Sequence, residues 1–322
     1  MRLFFSSFLL LIGCFHKEDE IVLLNVSYDP TRELYSQINQ SYQKFRSSQK
    51  KVRILQSHGG SSKQAGYILA GLRADVVSLA MQTDIDKIAQ KGFIEKNWRE
   101  KKPNQSTPFY STVVFLVRET NPKKIFDWKD LTQPNIQVIT PSPKTSGGGK
   151  WNFLAAYGYF LNQDSRTAIQ QVKKLYENVP ILDTSSRSSA STFIQRKIGD
   201  VLIIWENEAL LALKESKDQK FEIIYPSMSI YAQPMIAVVN RTVKLKNTEE
   251  EANMYLDYLY TKEAQEIIAQ NGYRPIDKEI YEKYKNIYKE INLFKVEEVF
   301  KSWEEVNKKI FSDGNLLDEV LK

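Results

Sequence analysis

The residues with the clearest chemistry in this chain lie in one stretch, Ile139-Thr140-Pro141-Ser142-Pro143-Lys144-Thr145-Ser146-Gly147-Gly148-Gly149-Lys150-Trp151. A largely apolar run from Ile136 to Ile139 enters it as a strand. Pro141 and Pro143 then break regular structure. Trp151, Leu154, Ala155 and Gly158 follow at helical spacing. The pattern is strand, tight loop, helix N-terminus. The first turn of a helix leaves backbone N–H groups unpaired, and its dipole favours negative charge. Gly147 and Gly148 allow close approach to that backbone, and Ser146 adds a hydroxyl donor. Such a junction is a cradle for an anion. It is no nucleotide P-loop: Gly149-Lys150 would need glycine at 144 and Ser or Thr at 151, where the chain has Lys144 and Trp151.

One glycine-rich turn serves equally well as a plain turn. What lifts this one above that reading is recurrence of the junction. Val52 to Leu55 reads as a strand, followed by Ser57-His58-Gly59-Gly60-Ser61-Ser62 and a helix carrying Ile68, Leu69 and Leu72. Ile181-Leu182-Asp183 leads through Thr184-Ser185-Ser186-Arg187-Ser188 to a helix starting near Ser189. Val201 to Trp205 is a strand that ends in an indole and runs into polar Glu206-Asn207-Glu208. The strand at Ile21–Ser27 ends at Asp29-Pro30, where Asp29 suits an N-cap and Pro30 the first helical position. Strands alternating with helices imply parallel sheets, with ligands at the strands' C-terminal ends.

The elements that position these junctions fill 322 residues, enough for two domains. The strands Phe221–Tyr225 and Met235–Val239 read as a return crossing. Thr248 with Glu251 reads as a capping box, and Asn271-Gly272 as a helix stop. The tail from Lys278 interleaves both charges with aromatics and reads as amphipathic helices on one lobe. Lys and Arg exceed Asp and Glu by 45 to 39, a net +6 without a concentrated basic block. That balance excludes nucleic acid as the expected partner and suits a small anion. With one cysteine and two histidines, no structural metal site or internal disulfide is expected.

Arg2 precedes the apolar core Leu3 to Ile12, the layout of a secretory signal. It ends in Leu11-Ile12-Gly13-Cys14, which resembles a bacterial lipobox. That resemblance implies removal of 1–13, lipid on Cys14, a tether over 14–20 and work outside the cytoplasm.

The ordered motifs together resemble the sulfate/thiosulfate-binding proteins of bacterial ABC importers. Leu23 to Leu34, with Ser27-Tyr28-Asp29-Pro30-Thr31-Arg32-Glu33, matches the family's opening. Gln56-Ser57-His58-Gly59-Gly60-Ser61 with Lys63-Gln64, then Val138 to Pro141 with Ser146-Gly147-Gly148, match its next two loops. Gly199 to Ile203, Trp205 to Leu211 and Tyr273-Arg274-Pro275 complete the set. The resemblance implies an α/β, two-lobed periplasmic-binding-protein fold of type II, with the anion in the cleft. The expected lobes are 21–112 plus 236–322, and 113–235. By resemblance, backbone N–H donors fall at Asp29, Ser61, Gly147, Gly148 and Ser186, joined by the Ser146 hydroxyl and the Trp205 indole. The family usually has Gly-Ala-Arg where this chain has Ser185-Ser186-Arg187. The implied partners are sulfate or thiosulfate and a membrane permease. No cofactor, catalysis or obligate oligomer is implied, so the expectation is a monomeric carrier.

Sulfate at neutral pH carries four acceptor oxygens and no proton, so a site of donors alone suits it. Hydrogenphosphate would leave its O–H unsatisfied there, at about 1–3 kcal/mol. An inward Asp29 carboxylate would accept that proton and reverse the preference. The alternatives are a carrier for phosphate or molybdate, a surface lipoprotein binding a protein partner, and a hydrolase using His58 with Ser57, Ser61 or Ser62.

Overall fold

The computed structural model describes residues 20–46, 51–216 and 220–322. The expected signal segment, Cys14 and nearly all of the tether lie outside the described residues. Two sheets organise the rest. In the first, the order is Met235–Val238, Val76–Leu79, Ile21–Tyr28, Val52–Gly59. Three strands run parallel, and Met235–Val238 returns antiparallel. In the second, the order is Leu182–Asp183, Val138–Pro141, Val201–Trp205, Val113–Arg118, Phe221–Ile224. The first three are parallel, and Val113–Arg118 opposes both its neighbours.

The central strands Val76–Leu79, Val113–Arg118 and Val201–Trp205 are almost wholly buried because helices cover both faces of each sheet. Val113, Phe115 and Val117 pack on one face with Val201, Ile203 and Trp205. Val114 and Leu116 face the other way with Leu202 and Ile204. The two-residue period of a strand therefore sends Trp205 to the same side as Trp151. Chain segments pass between the sheets near Ser111 and Ala232, which bridge antiparallel with both backbone bonds at 3.0 Å.

Four expectations change. The tail, expected on the first lobe, packs on the second from Asn292. Asn292–Phe294 pairs with Met228–Ile230, and Phe300, Trp303, Ile310 and Leu317 join the core that holds the helix Gly147–Gln163. An amphipathic pattern says that a face is buried, not against what. Here Gly158 leaves the room that the Phe294 ring takes. Asp29 is not a helix cap: Asp29–Thr31 forms a 3₁₀ turn, and the helix Arg32–Phe45 starts after Thr31. The Asp29 carboxylate instead meets Arg32 at 3.3 Å. Thr248 precedes its helix but caps nothing with its hydroxyl. That hydroxyl donates to Asp75 at 2.7 Å, because this buried carboxylate gathers donors from Leu24 N and Lys246 as well. Finally, the helix expected near Ser189 begins at Ser186.

Candidate anion-binding site

Three parallel strands of the two sheets each end at a helix N-terminus facing the same cleft. The strand Val52–Gly59 leads through Gly60 into the helix Ser61–Leu69. The strand Val138–Pro141 leads to Ser146, the N-cap of Gly147–Gln163. The strand Leu182–Asp183 leads to Ser185, the N-cap of Ser186–Ile194. Ser146 Oγ accepts from Gly149 N at 3.2 Å, and Ser185 Oγ from Ser188 N at 3.2 Å. Each cap satisfies one amide and leaves the earlier ones of its first turn to point at the cleft.

The glycines mark how close these ends come. A methyl group on Gly147 would sit 2.9 Å from Ala80 Cβ and 3.0 Å from Ser61 Cβ, both on the first lobe. On Gly148 it would overlap Ser186 Oγ and lie 3.6 Å from Ser146 Oγ. Ser61, Ser146, Gly147, Gly148 and Ser186 are therefore gathered at one place, from both lobes. Ser61 is 1% exposed and spends its hydroxyl on Asp84 Oδ2 at 2.7 Å, so its contribution to the cleft is its backbone.

Trp205 ends its strand beside this junction. Its ring packs against Trp151, centroids 6.4 Å apart, and against Tyr28, 5.7 Å apart. Tyr28 directly precedes Asp29, which brings the 3₁₀ turn to the same cleft. The Trp205 ring is 1% exposed, yet its Nε1–H has no protein partner. A buried unpaired donor costs about 1–3 kcal/mol, and native structures rarely keep one without a reason.

The lobes also bond to each other directly. Trp151 Nε1 donates to Ala80 O at 2.7 Å, and Lys150 Nζ to Ser62 Oγ at 3.2 Å. Burial lowers the Lys150 pKa, against the pull of Asp84. At the cleft mouth Arg187 pairs with Glu33 at 2.8 Å, across the lobes. Glu208 lines the same opening, a cavity of about 450 Å³ shared with Asp29, Glu33 and Arg187. Burial first, then Asp29 and Glu33, push its carboxyl up to about 8, against Arg187. A carboxyl held neutral adds no repulsion to an arriving anion.

His58 is held the other way. Burial and then Arg32 lower its pKa from 6.5 to about 4, against Asp29 and Glu33. The folded chain thus refuses a proton that the unfolded chain accepts. Its contribution to stability is complete above pH 6.5 and is lost as pH falls toward about 4. In urea melts at several pH values, His58→Asn is expected to lose less stability than wild type across that window. Identical slopes in both proteins would contradict this.

The family model for bacterial extracellular solute-binding proteins matches residues 23–274. The chain belongs to this family. It is 50% identical to a sulfate-binding protein of Escherichia coli K12, over 94% of each chain. It is 43% identical to a thiosulfate-binding protein of Pseudomonas aeruginosa, over 92% of this chain and 91% of that one. In structure it matches the sulfate-binding protein SubI of Mycobacterium tuberculosis H37Rv at a TM-score of 0.83 and 29% identity. That match covers 91% of this chain and all of the other. The fold is the two-lobed type II periplasmic-binding-protein architecture, as the motif order implied.

As this family member folds, the hydrolytic constellation does not assemble. His58 Nδ1 bonds Ser27 Oγ at 2.7 Å, and both Ser61 and Ser62 donate to Asp84. Ser57 bonds Gln64. Among the described residues, no cluster of His, Cys, Asp or Glu suits a metal ion, and no helix is long and apolar enough to cross a membrane. Sequence reasoning missed the groups that meet only through the fold: Glu33 with Arg187, Lys150 with Ser62, Trp151 with Ala80. Glu208 left a trace in the polar Glu206-Asn207-Glu208 that follows a buried strand.

Proposed function

We propose that this protein captures a sulfate or thiosulfate dianion between its lobes and delivers it to an ABC permease. The observation that carries the reading is the Trp205 indole, a buried donor without a protein partner, set where helix N-termini from both lobes converge. Backbone N–H groups of Asp29, Ser61, Gly147, Gly148 and Ser186, the Ser146 hydroxyl and this indole form the donor set. Ser146 Oγ already accepts from Gly149 N, so its own hydrogen is free to donate outward. The Asp29 carboxylate is engaged by Arg32, which supports an amide rather than a carboxylate facing the ligand. The names and extent of similarity of the relatives agree with this ligand class.

The binding cycle follows from two half-sites. An anion held by one lobe's donors attracts the other lobe's, and shifts the population toward the shut form by its preference for that form. The shut form is the one a permease reads. The Leu11-Ile12-Gly13-Cys14 sequence supports lipid anchoring at Cys14, with the monomeric carrier working outside the cytoplasm.

Calorimetry with sulfate, thiosulfate, phosphate and molybdate tests the ligand. Sulfate or thiosulfate is expected to bind more tightly than hydrogenphosphate, whose O–H the amides and the indole cannot accept. Phosphate or molybdate binding best would replace the assignment with another oxyanion. No heat with any of the four would favour a protein partner instead.

A further inference from the structure

The Ser186 hydroxyl has a position that capping does not explain. Ser185 performs the cap of the helix Ser186–Ile194, accepting from Ser188 N and sharing a 3.0 Å hydrogen bond with Ser188 Oγ. Ser186 is the first helical residue, where a side chain has no capping task. Its Oγ nevertheless lies against Gly148, in the space that a Cβ there would take, with Ser146 Oγ on the same side of that glycine. It is half-buried at the meeting point of two helix N-termini.

The geometry points to Ser186 Oγ as a direct ligand of the bound oxyanion that sets its selectivity. The inference rests on reading the cleft as an oxyanion site. Amides and an indole only donate. Ser146 has one of its two lone pairs committed to Gly149 N, which restricts its rotation, and the proposed site uses its hydrogen as a donor. A hydroxyl free of such commitments rotates to donate or accept. Toward an unprotonated dianion, Ser186 donates. Toward a protonated one, such as hydrogenphosphate, it accepts the ion's O–H and relieves a mismatch worth about 1–3 kcal/mol. The hydroxyl therefore broadens the site: it admits singly protonated tetrahedral anions that a cradle of pure donors would turn away.

The test is competition calorimetry of sulfate against hydrogenphosphate at pH 8 in wild type, Ser186→Ala and Ser185→Ala. In wild type, hydrogenphosphate should displace sulfate at high concentration. In Ser186→Ala, the ratio of sulfate to hydrogenphosphate affinity should rise about tenfold, the factor that one unmet hydrogen bond commands. Ser185→Ala removes the helix cap and controls for loosening of the same turn, so its ratio should stay at the wild-type value. Three results overturn the inference: a Ser186→Ala ratio within about twofold of wild type, an equal rise in Ser185→Ala, or no displacement of sulfate in wild type. If wild type binds neither sulfate nor hydrogenphosphate, the oxyanion reading falls with it. If sulfate binds and only the ratio fails to move, the carrier stands and the role of Ser186 is lost.

Discussion

Gly147→Ala should abolish tight anion binding while leaving the thermal stability of the protein intact. The added methyl would lie 2.9 Å from Ala80 Cβ, 3.0 Å from Ser61 Cβ and 3.5 Å from Met81 Cγ. All three atoms belong to the first lobe, whereas Gly147 opens the helix of the second. Under the proposed closure, the clash exists only when the lobes are shut. Within its own lobe Gly147 has an ordinary helical position, which alanine accepts. Overpacking of this kind costs about 1–3 kcal/mol. Holding the lobes apart also lengthens several charge-assisted bonds at once, so the combined loss should exceed about a hundredfold in affinity. Gly149→Ala is the contrasting case. Its methyl would meet Pro141 O at 2.6 Å and Ser142 O at 2.7 Å, backbone atoms of the same lobe. That variant should melt at lower temperature with or without ligand. Calorimetry and thermal melts on both proteins separate the two effects. Sulfate binding to Gly147→Ala as tightly as to wild type would show that the lobes do not shut on this contact.

The same pair shows what the sequence makes legible. Local signals are written in adjacent residues. Three glycines after two prolines can be read as a helix start with open backbone, and the helix does begin at Gly147. The strand ending at Trp205 could be read from five apolar residues followed by Glu206-Asn207-Glu208. Partners distant in sequence are not written anywhere locally. Nothing near Ser61 announces Asp84, which takes its hydroxyl, and nothing near Trp151 announces Ala80 O. The C-terminal strap is the plainest case. Its aromatics were legible as a buried face, but the choice of lobe depended on Gly158 admitting Phe294, on Trp303 meeting Trp151 at 5.1 Å, and on Lys144 meeting Asp318. The start of the helix at Ser186 was obscured for another reason. In a run of five Ser and Arg residues from Ser185 to Ser189, any serine is an acceptable cap, and only hydrogen bonding selects Ser185.

The buried pair Arg274–Glu206 carries the second large effect. Arg274 Nε meets Glu206 Oε2 at 2.6 Å, and Arg274 Nη2 meets Oε1 at 2.8 Å. The side chains are 3% and 0% exposed, and Nη2 also donates to Lys289 O. Arg274 lies in the short pairing of Arg274–Pro275 with Phe109–Tyr110. Glu206 directly follows Trp205 and opens the helix Glu206–Glu215. The pair therefore ties the place where chain passes between the lobes to the residue next to the indole donor. Arg274→Met leaves a buried carboxylate without its partner, a change that costs about 3–5 kcal/mol. Urea unfolding should register a loss of that order in Arg274→Met. The double variant Arg274→Met/Glu206→Leu should recover most of it, since apolar groups of similar volume often replace a buried ion pair without net cost. Recovery of stability need not restore binding. With the bidentate tie gone, the turn after Trp205 is fixed by packing alone, and the indole N–H no longer has a rigid mount. The double variant should accordingly fold like wild type but bind sulfate about tenfold more weakly, the value of roughly one misplaced hydrogen bond to a charged group. Stability and affinity both returning to wild type would reduce the pair to a packing element. Neither returning would mean that the salt bridge itself, not its volume, holds this junction.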